Sequence, residues 1–471
     1  MIKIPHHKLT KHPAILLLTV WYSFAWSWSF FTDSLELSGS QSQGLVLAFI
    51  VVAVNVSLSV LIMYSVIRLV NYVNLKYSKL VFIPLTIVLF ALADYLVAWL
   101  VALFWIGPQG SIDSVLPIGS TALVLADSPF RFASRFIGFY GLAAFVWVTV
   151  YLLYSKQTRK YAVIPIAVLS IVSLSGWILY KSPNGSQVRV TIVSEKLDDR
   201  VPQVNPRSAD LVLFPEYGLE KNDNSNLQER IMRTTVDQPK TYFAGSDQVY
   251  KNDVTGHKNN MKFGNTLDGF TDSQEKYRLI PGGEDLPYLM RTLLRATNQK
   301  STLDYFSYAK GVLKGPYQLK PFVLSSDTHV ATAVCSSIIA PEDYREFTNS
   351  GATIFTNSAS LTTFKGSPLF KWQQKSLAKF MATANSRYFI QSANSATAYA
   401  LDNNGNQIAE VGGVNTVTVK VVNNSRITPY VVLGEWLVKA GAIVAVFVLL
   451  SSTRAKKFYK KYLIKFHKKR H

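Results

Sequence analysis

Six apolar runs decide what this chain can fold into. They cover residues 13–31, 45–67, 80–106, 136–154, 161–180 and about 433–452. Each approaches or exceeds the ~20 residues with which a helix crosses a bilayer. Between Lys181 and about Tyr430 lies a long stretch of soluble character. The pattern predicts five membrane helices over 1–180, a folded domain over 181–432, a last helix over 433–452 and a tail over 453–471. The first run is long and aromatic and lacks a clean small-x-small cleavage site, so it reads as a retained helix rather than a signal peptide.

Charge settles which way such a bundle sits. The formal net charge is +20, although only 17% of residues are charged. Lys3, Lys8 and Lys11 precede the first run; Arg68, Lys76 and Lys79 lie in the second connection; Lys156, Arg159 and Lys160 lie in the fourth. Nine more lysines and arginines follow Ser452, and none of these four clusters contains an Asp or Glu. The alternate connections carry Asp33, Glu36, Asp113 and Asp127 against Arg131 and Arg135. Cationic connections stay cytoplasmic. Both termini are therefore expected inside and residues 181–432 outside the membrane. The domain itself is nearly balanced, so the basic total marks orientation and contact with anionic headgroups, and no nucleic-acid partner is expected.

Within 181–432, β-branched runs such as 188–195, 209–216, 328–336, 352–358 and 388–393 alternate with helical stretches at 225–235, 284–297, 341–348 and 368–386. The expected fold is a mixed α/β sandwich. Three strand-end residues stand out. Glu216 closes LVLFPE, where Pro215 fixes the turn after a buried strand. Cys335, the only cysteine, closes THVATAVC. Lys276 opens the Pro- and Gly-rich loop KYRLIPGGE, which ends at Glu284. Singly, each has a bland reading as a cap, a buried thiol or a solvated charge. Together they supply a nucleophile, a base and a cation. One cysteine excludes a disulfide within the chain and a multi-Cys zinc site, and neither a metal nor a cofactor is expected.

LVLFPE, KYRLIPGGE and the strand-Cys run resemble the carbon–nitrogen hydrolase, or nitrilase, superfamily with its Glu–Lys–Cys triad. Added membrane helices, TNSA (356–359), SANSATAYALDNNG (392–405) and DSPFRFASRFIGFYGL (127–142) are similar to one branch, the apolipoprotein N-acyltransferases. The resemblance implies a polytopic helical membrane domain plus a nitrilase-like α-β-β-α sandwich. It implies transfer of a phospholipid acyl chain through a Cys335 thioester to the amine of a diacylglyceryl-cysteine lipoprotein, by a monomer. Glu216 would be the base, Lys276 the oxyanion partner, Glu284 an orienting carboxylate and Ser336 N–H an oxyanion donor. The sequence departs from the family in several places. Ser336–Ser337 replace Tyr-Glu after the cysteine, Gly282 replaces a Phe, and Met381 and Ala384 replace an Arg and a Glu. Asn357–Ser358–Ala359–Ser360 stands for Asn-Asp-Ala-Trp, and six runs stand for eight spans. The rival functions are a membrane-tethered amidohydrolase using water as acceptor and a non-catalytic binding module. Asp94 in the third run is expected to pack against a polar neighbour. Trp21, Trp26 and Trp28 are expected in an interfacial belt.

Overall fold

The computed structural model describes residues 13–31, 41–154, 158–196, 209–219, 240–250, 256–305, 311–364 and 367–451. The basic tail and the expected helix at 225–235 lie outside them. The apolar runs form α1 (Pro13–Trp26), α2 (Gln41–Lys76), α3 (Lys79–Phe104), α4 (Ser134–Tyr154) and α5 (Val163–Tyr180). With their flanking turns, these five helices are long and apolar enough to cross a membrane, and the protein is a membrane protein. Within the sixth run, the described residues form a helix over Trp436–Ser451.

The intervening domain runs β1 (Gln187–Glu195), β2 (Leu211–Leu213), β3 (Tyr242–Tyr250), β4 (His257–Asn265), β5 (Gly269–Glu275), α6 (Tyr288–Ala296), α7 (Lys300–Asp304), β6 (Phe322–Val323) and β7 (His329–Val334). It continues through α8 (Pro341–Asn349), β8 (Ile354–Ser360), α9 (Pro368–Asn385), β9 (Tyr388–Asn394), β10 (Ala398–Leu401), β11 (Gln407–Val411) and β12 (Asn415–Val422). α10 (Pro429–Leu433) leads into the last helix, α11 (Trp436–Ser451).

The strands form one path, β5-β4-β3-β2-β1-β9-β8-β7-β6, with β12 on β1 and β10–β11 on β9. Only Ser194–Ala393 and Glu195–Asn394 pair across the middle. The two halves therefore fold face to face around Val190, Ile192, Leu213, Val330, Ile354 and Ile390. Period-two alternation then turns Phe355 and Phe389 outward, where they join the core shared by α8, α9 and the membrane helices. α8 starts as its sequence predicts, with Pro341 in the first turn followed by Glu342 and Asp343. The architecture is a polytopic helical membrane domain plus an α/β sandwich, as expected.

Of two membrane-domain features singled out in the sequence, one differs from its reading and one matches it. Trp26 and Trp28 form no outward belt: Trp26 is 2% exposed, and Trp28 packs on Phe364 and Phe370 of the α/β domain. Trp21 donates to the Gly119 carbonyl. Trp28 faces the domain because the end of α1 meets it, where Gln373 donates to Ala25 O. Asp94 accepts from Ser120 Oγ and, at 3.3 Å, from Trp147 Nε1, which is the structural pairing expected of it.

Candidate active site

All the strands that deliver chemistry end on one edge. β7, β8, β9, β1, β2 and β3 run parallel, and two antiparallel steps bring β5 into the same direction. Loops leaving these carboxyl ends converge, which is where open α/β sheets gather their sites. The turn after β2 is held by Ser358 and Ser392, whose hydroxyls both donate to Phe214 O at 2.7 Å. This fixes Pro215 and Glu216 over the junction of the two halves.

Glu216 is 2% exposed. Its Oε1 accepts from Asn259 Nδ2 at 3.2 Å and lies 3.6 Å from Lys276 Nζ, and its charge is felt by the Cys335 thiol. Its backbone carbonyl accepts from Asn394 at 3.1 Å. The Lys276 side chain is fully enclosed between Glu216 and Glu284. Glu284 bonds Lys276 through Oε1; its Oε2 accepts from Ile280 N at 2.9 Å and from Ser336 Oγ at 2.8 Å. Thus Glu216, Lys276, Cys335, Glu284 and Ser336 are brought into one cluster from separate strand ends and loops.

Cys335 adopts φ +44° at the junction of β7 and the 3₁₀ turn Cys335–Ile339. Tyr217, next to Glu216, has φ +65°. Left-handed non-glycine residues cost about 1–3 kcal/mol each and collect at functional sites. The sharp turn swings the thiol out of the strand, and Sγ donates to Ser360 O at 3.3 Å. The first N–H groups of a helical turn have no partner within it, so Ser336 N–H is available beside the thiol.

Burial raises the Cys335 thiol well above its usual range; Glu216 adds to this and Lys276 opposes it. Burial likewise raises Glu216, partly offset by Lys276. For Lys276, burial disfavours the charge, but Glu284 and Glu216 outweigh it and hold the ammonium charged. A protonated thiol, a carboxylate able to take its proton and a cation are the groups that nucleophilic catalysis by a thiol requires.

A cavity of about 20 Å³ opens at Cys335, walled by Ile338, Leu361, Phe370 and Leu377 of the α/β domain and Ile118 of the membrane domain. Gly282 has φ +80°, which disfavours any larger side chain there, and Trp105 from the end of α3 lies 3.4 Å from where a Cβ would stand. Asn259, Asn394 and Arg278 bond to residues of the cluster, and local sequence reading does not single them out. Arg278 makes a bidentate pair with Asp343 at 2.8 and 2.9 Å and reaches Asp113 of the membrane domain at 2.9 Å.

No protein-family model and no curated protein matches this chain. Among solved structures it is similar to a carbon–nitrogen hydrolase from Helicobacter pylori, at 10% identity over 59% of this chain and 99% of that one, with a TM-score of 0.37. An amidase of the nitrilase superfamily from Nesterenkonia, solved as a cysteine-to-alanine mutant, is 14% identical over 51% and 92% of the two chains, with a TM-score of 0.33. A Saccharomyces cerevisiae member of branch 10 of the nitrilase superfamily is 12% identical over 58% and 97%, with a TM-score of 0.36.

Proposed function

We propose that this protein is a nitrilase-type N-acyltransferase that moves a phospholipid acyl chain onto the amino terminus of a diacylglyceryl lipoprotein. The carrying observation is the meeting of Glu216, Lys276 and Cys335 beside an apolar cavity that a membrane-domain residue, Ile118, helps to wall. A site for small soluble amides has no need of that wall.

Glu216 takes the thiol proton as Cys335 Sγ attacks the ester carbonyl of a phospholipid. The C–S bond forms, the oxyanion is met by Lys276 and Ser336 N–H, and the C–O bond to glycerol breaks. Glu216 returns the proton to the leaving alkoxide, giving a lysophospholipid. An ammonium has three donors; Glu284 takes one and Glu216 stands in ion-pair range at 3.6 Å, which leaves a donor for the oxyanion. The lipoprotein amine then attacks the thioester through its neutral form. C–N forms, C–S breaks, and the amine's proton passes by Glu216 to sulfur. Glu284 positions Lys276 throughout. The domain faces the outside of a bacterial plasma membrane with both termini in the cytoplasm, and the protein acts as a monomer.

The test is intact mass after incubation with phospholipid carrying a labelled acyl chain. A hydroxylamine-sensitive adduct is expected in the wild type and absent in Cys335→Ala. A diacylglyceryl peptide should discharge it as an amide. Release of free fatty acid with no amide overturns the transferase reading in favour of water as acceptor, and failure to form any adduct overturns the acyl-enzyme. Because burial raises Glu216, acylation should rise with pH along a limb displaced above the ordinary glutamate range.

A further inference from the structure

A second opening lies on the other side of the lysine loop. It is a recess of about 690 Å³ bounded by Tyr95 and Trp99 near the outer end of α3, Ser111 and Asp113 of the following loop, and Tyr277 and Lys314 of the α/β domain. Tyr277 directly follows Lys276: one side chain is enclosed with the two carboxylates and the next faces the recess.

Lys314 sets the chemistry of this recess. Its Nζ donates to Ser111 Oγ at 2.6 Å and stands 4.4 Å from the Tyr277 ring centroid. Among the described residues no carboxylate pairs with it. The neighbouring cation, Arg278, is by contrast neutralised by Asp343 and Asp113. A half-buried ammonium satisfied by a hydroxyl and an aromatic face retains the capacity to bind an anion. The rim says where that anion comes from. Ile112 at the mouth is 71% exposed, and Trp99, whose indole donates to Ile112 O at 2.7 Å, holds it there. Tyr and Trp near the end of a membrane helix mark headgroup depth.

We propose that this recess seats the phosphodiester of a membrane phospholipid, with Lys314 as the residue that contacts it. The inference rests on the reading of Cys335 as acylated by such a lipid and adds where the donor's headgroup is held. The glycerol ester is a few bonds from the phosphate, so a headgroup on Lys314 keeps the ester close to the Lys276 loop. The same loop of the membrane domain that supplies Ser111 and Asp113 supplies Ile118 to the cavity at Cys335. Headgroup and acyl chain would thus lie along one continuous segment.

Binding can be measured without chemistry on full-length Cys335→Ala protein in detergent. The ligands are phosphatidylglycerol, diacylglycerol with the same chains, and glycerol phosphate, each read by native mass spectrometry. Phosphatidylglycerol should bind about tenfold more tightly than diacylglycerol, the worth of one charge-assisted hydrogen bond. Adding Lys314→Gln should bring that ratio near one, and Lys314→Arg should keep it. Equal binding of the two lipids, or an unchanged ratio in the glutamine variant, overturns the proposal. Glycerol phosphate binding as tightly as phosphatidylglycerol overturns the lipid source in favour of a soluble phosphate. These readouts need no acyl-enzyme, so an absent Cys335 adduct with an intact binding ratio would count against the proposed function alone.

Discussion

The α/β domain meets the membrane helices along two seams of opposite character. At the first, Arg135 is 0% exposed and donates to Thr383 O, Gly176 O, Asn403 O and Asn404 Oδ1 at 2.7–3.0 Å. Arg131 beside it reaches Asn404 O at 2.7 Å, Ala126 O at 3.2 Å and Asn406 Oδ1. One guanidinium joins α4, α5, the end of α9 and the β10–β11 turn, and its fork geometry matches several carbonyls at once. At the second seam, the loop after α3 touches the α/β domain through Asp113–Arg278 and Gln109–Asp285 at the lysine loop and through Ser111–Lys314 beside it. There the Asp113 side chain is 60% exposed. The first seam is dry and bonded mostly to carbonyls; the second is ionic, partly wet and borders the site. The domain is hung from one side and open to adjustment on the side where substrate would enter.

That contrast can be broken by mutation. Arg135→Leu should have the largest effect, because it strands several buried acceptors at a cost of about 1–3 kcal/mol each. The detergent-solubilised protein should lose much of its thermal stability, and raising salt should not change the deficit. A normal melting temperature would show that the first seam is not what holds the domain.

Arg278→Gln should come next, roughly 3–5 kcal/mol, because it leaves the buried Asp343 carboxylate without its partner. Its pH dependence has a definite sign. Burial already raises Asp343 and Arg278 lowers it, so the variant carboxyl rises further. A carboxyl raised in the folded state destabilises once the unfolded form ionises. The deficit should therefore be small near the unfolded pKa of ~4 and grow towards neutral pH. A deficit constant from pH 4 to 8 would contradict this assignment.

Asp113→Asn should be the mildest, about 0–1 kcal/mol and diminishing with salt, since its side chain is largely solvated. Its value lies in separating the seams. Acylation rate should respond to it while melting temperature barely moves. The reverse result would make the second seam structural.

Sequence legibility follows the same division. LVLFPE, THVATAVC and KYRLIPGGE each compress a strand end, a turn residue and a reactive group into a few positions, so the cluster can be read locally. Asn259 could not be. It lies on β4, whose sequence HKNNMKFGN has no apolar alternation strong enough to predict a strand. β4 forms because β3 and β5 flank it, which is a tertiary cause. Nor could Arg278–Asp343, whose partners sit 65 residues apart. Arg131 and Arg135 were visible as charges near a membrane run, but their acceptors are mostly main-chain carbonyls, and carbonyls leave no mark in a sequence. The narrow join of the two sheet halves, two residue pairs at Ser194–Glu195, is likewise a register that periodicity leaves open.

One junction in the membrane domain constrains how the protein comes into being. α4 breaks at Gly138, φ +73°, and its second half begins at Phe139 and Tyr140, whose N–H groups donate to the Glu435 carboxylate at 2.7 and 3.2 Å. A Cβ on Gly138 would stand 2.5 Å from that carboxylate. The group that caps this half-helix is thus encoded 296 residues after the amide it caps. A ribosome making the chain releases α4 long before Glu435 exists. The fourth helix must wait with its inner amides uncapped while the whole α/β domain is made, and the bundle locks only when the last helix arrives.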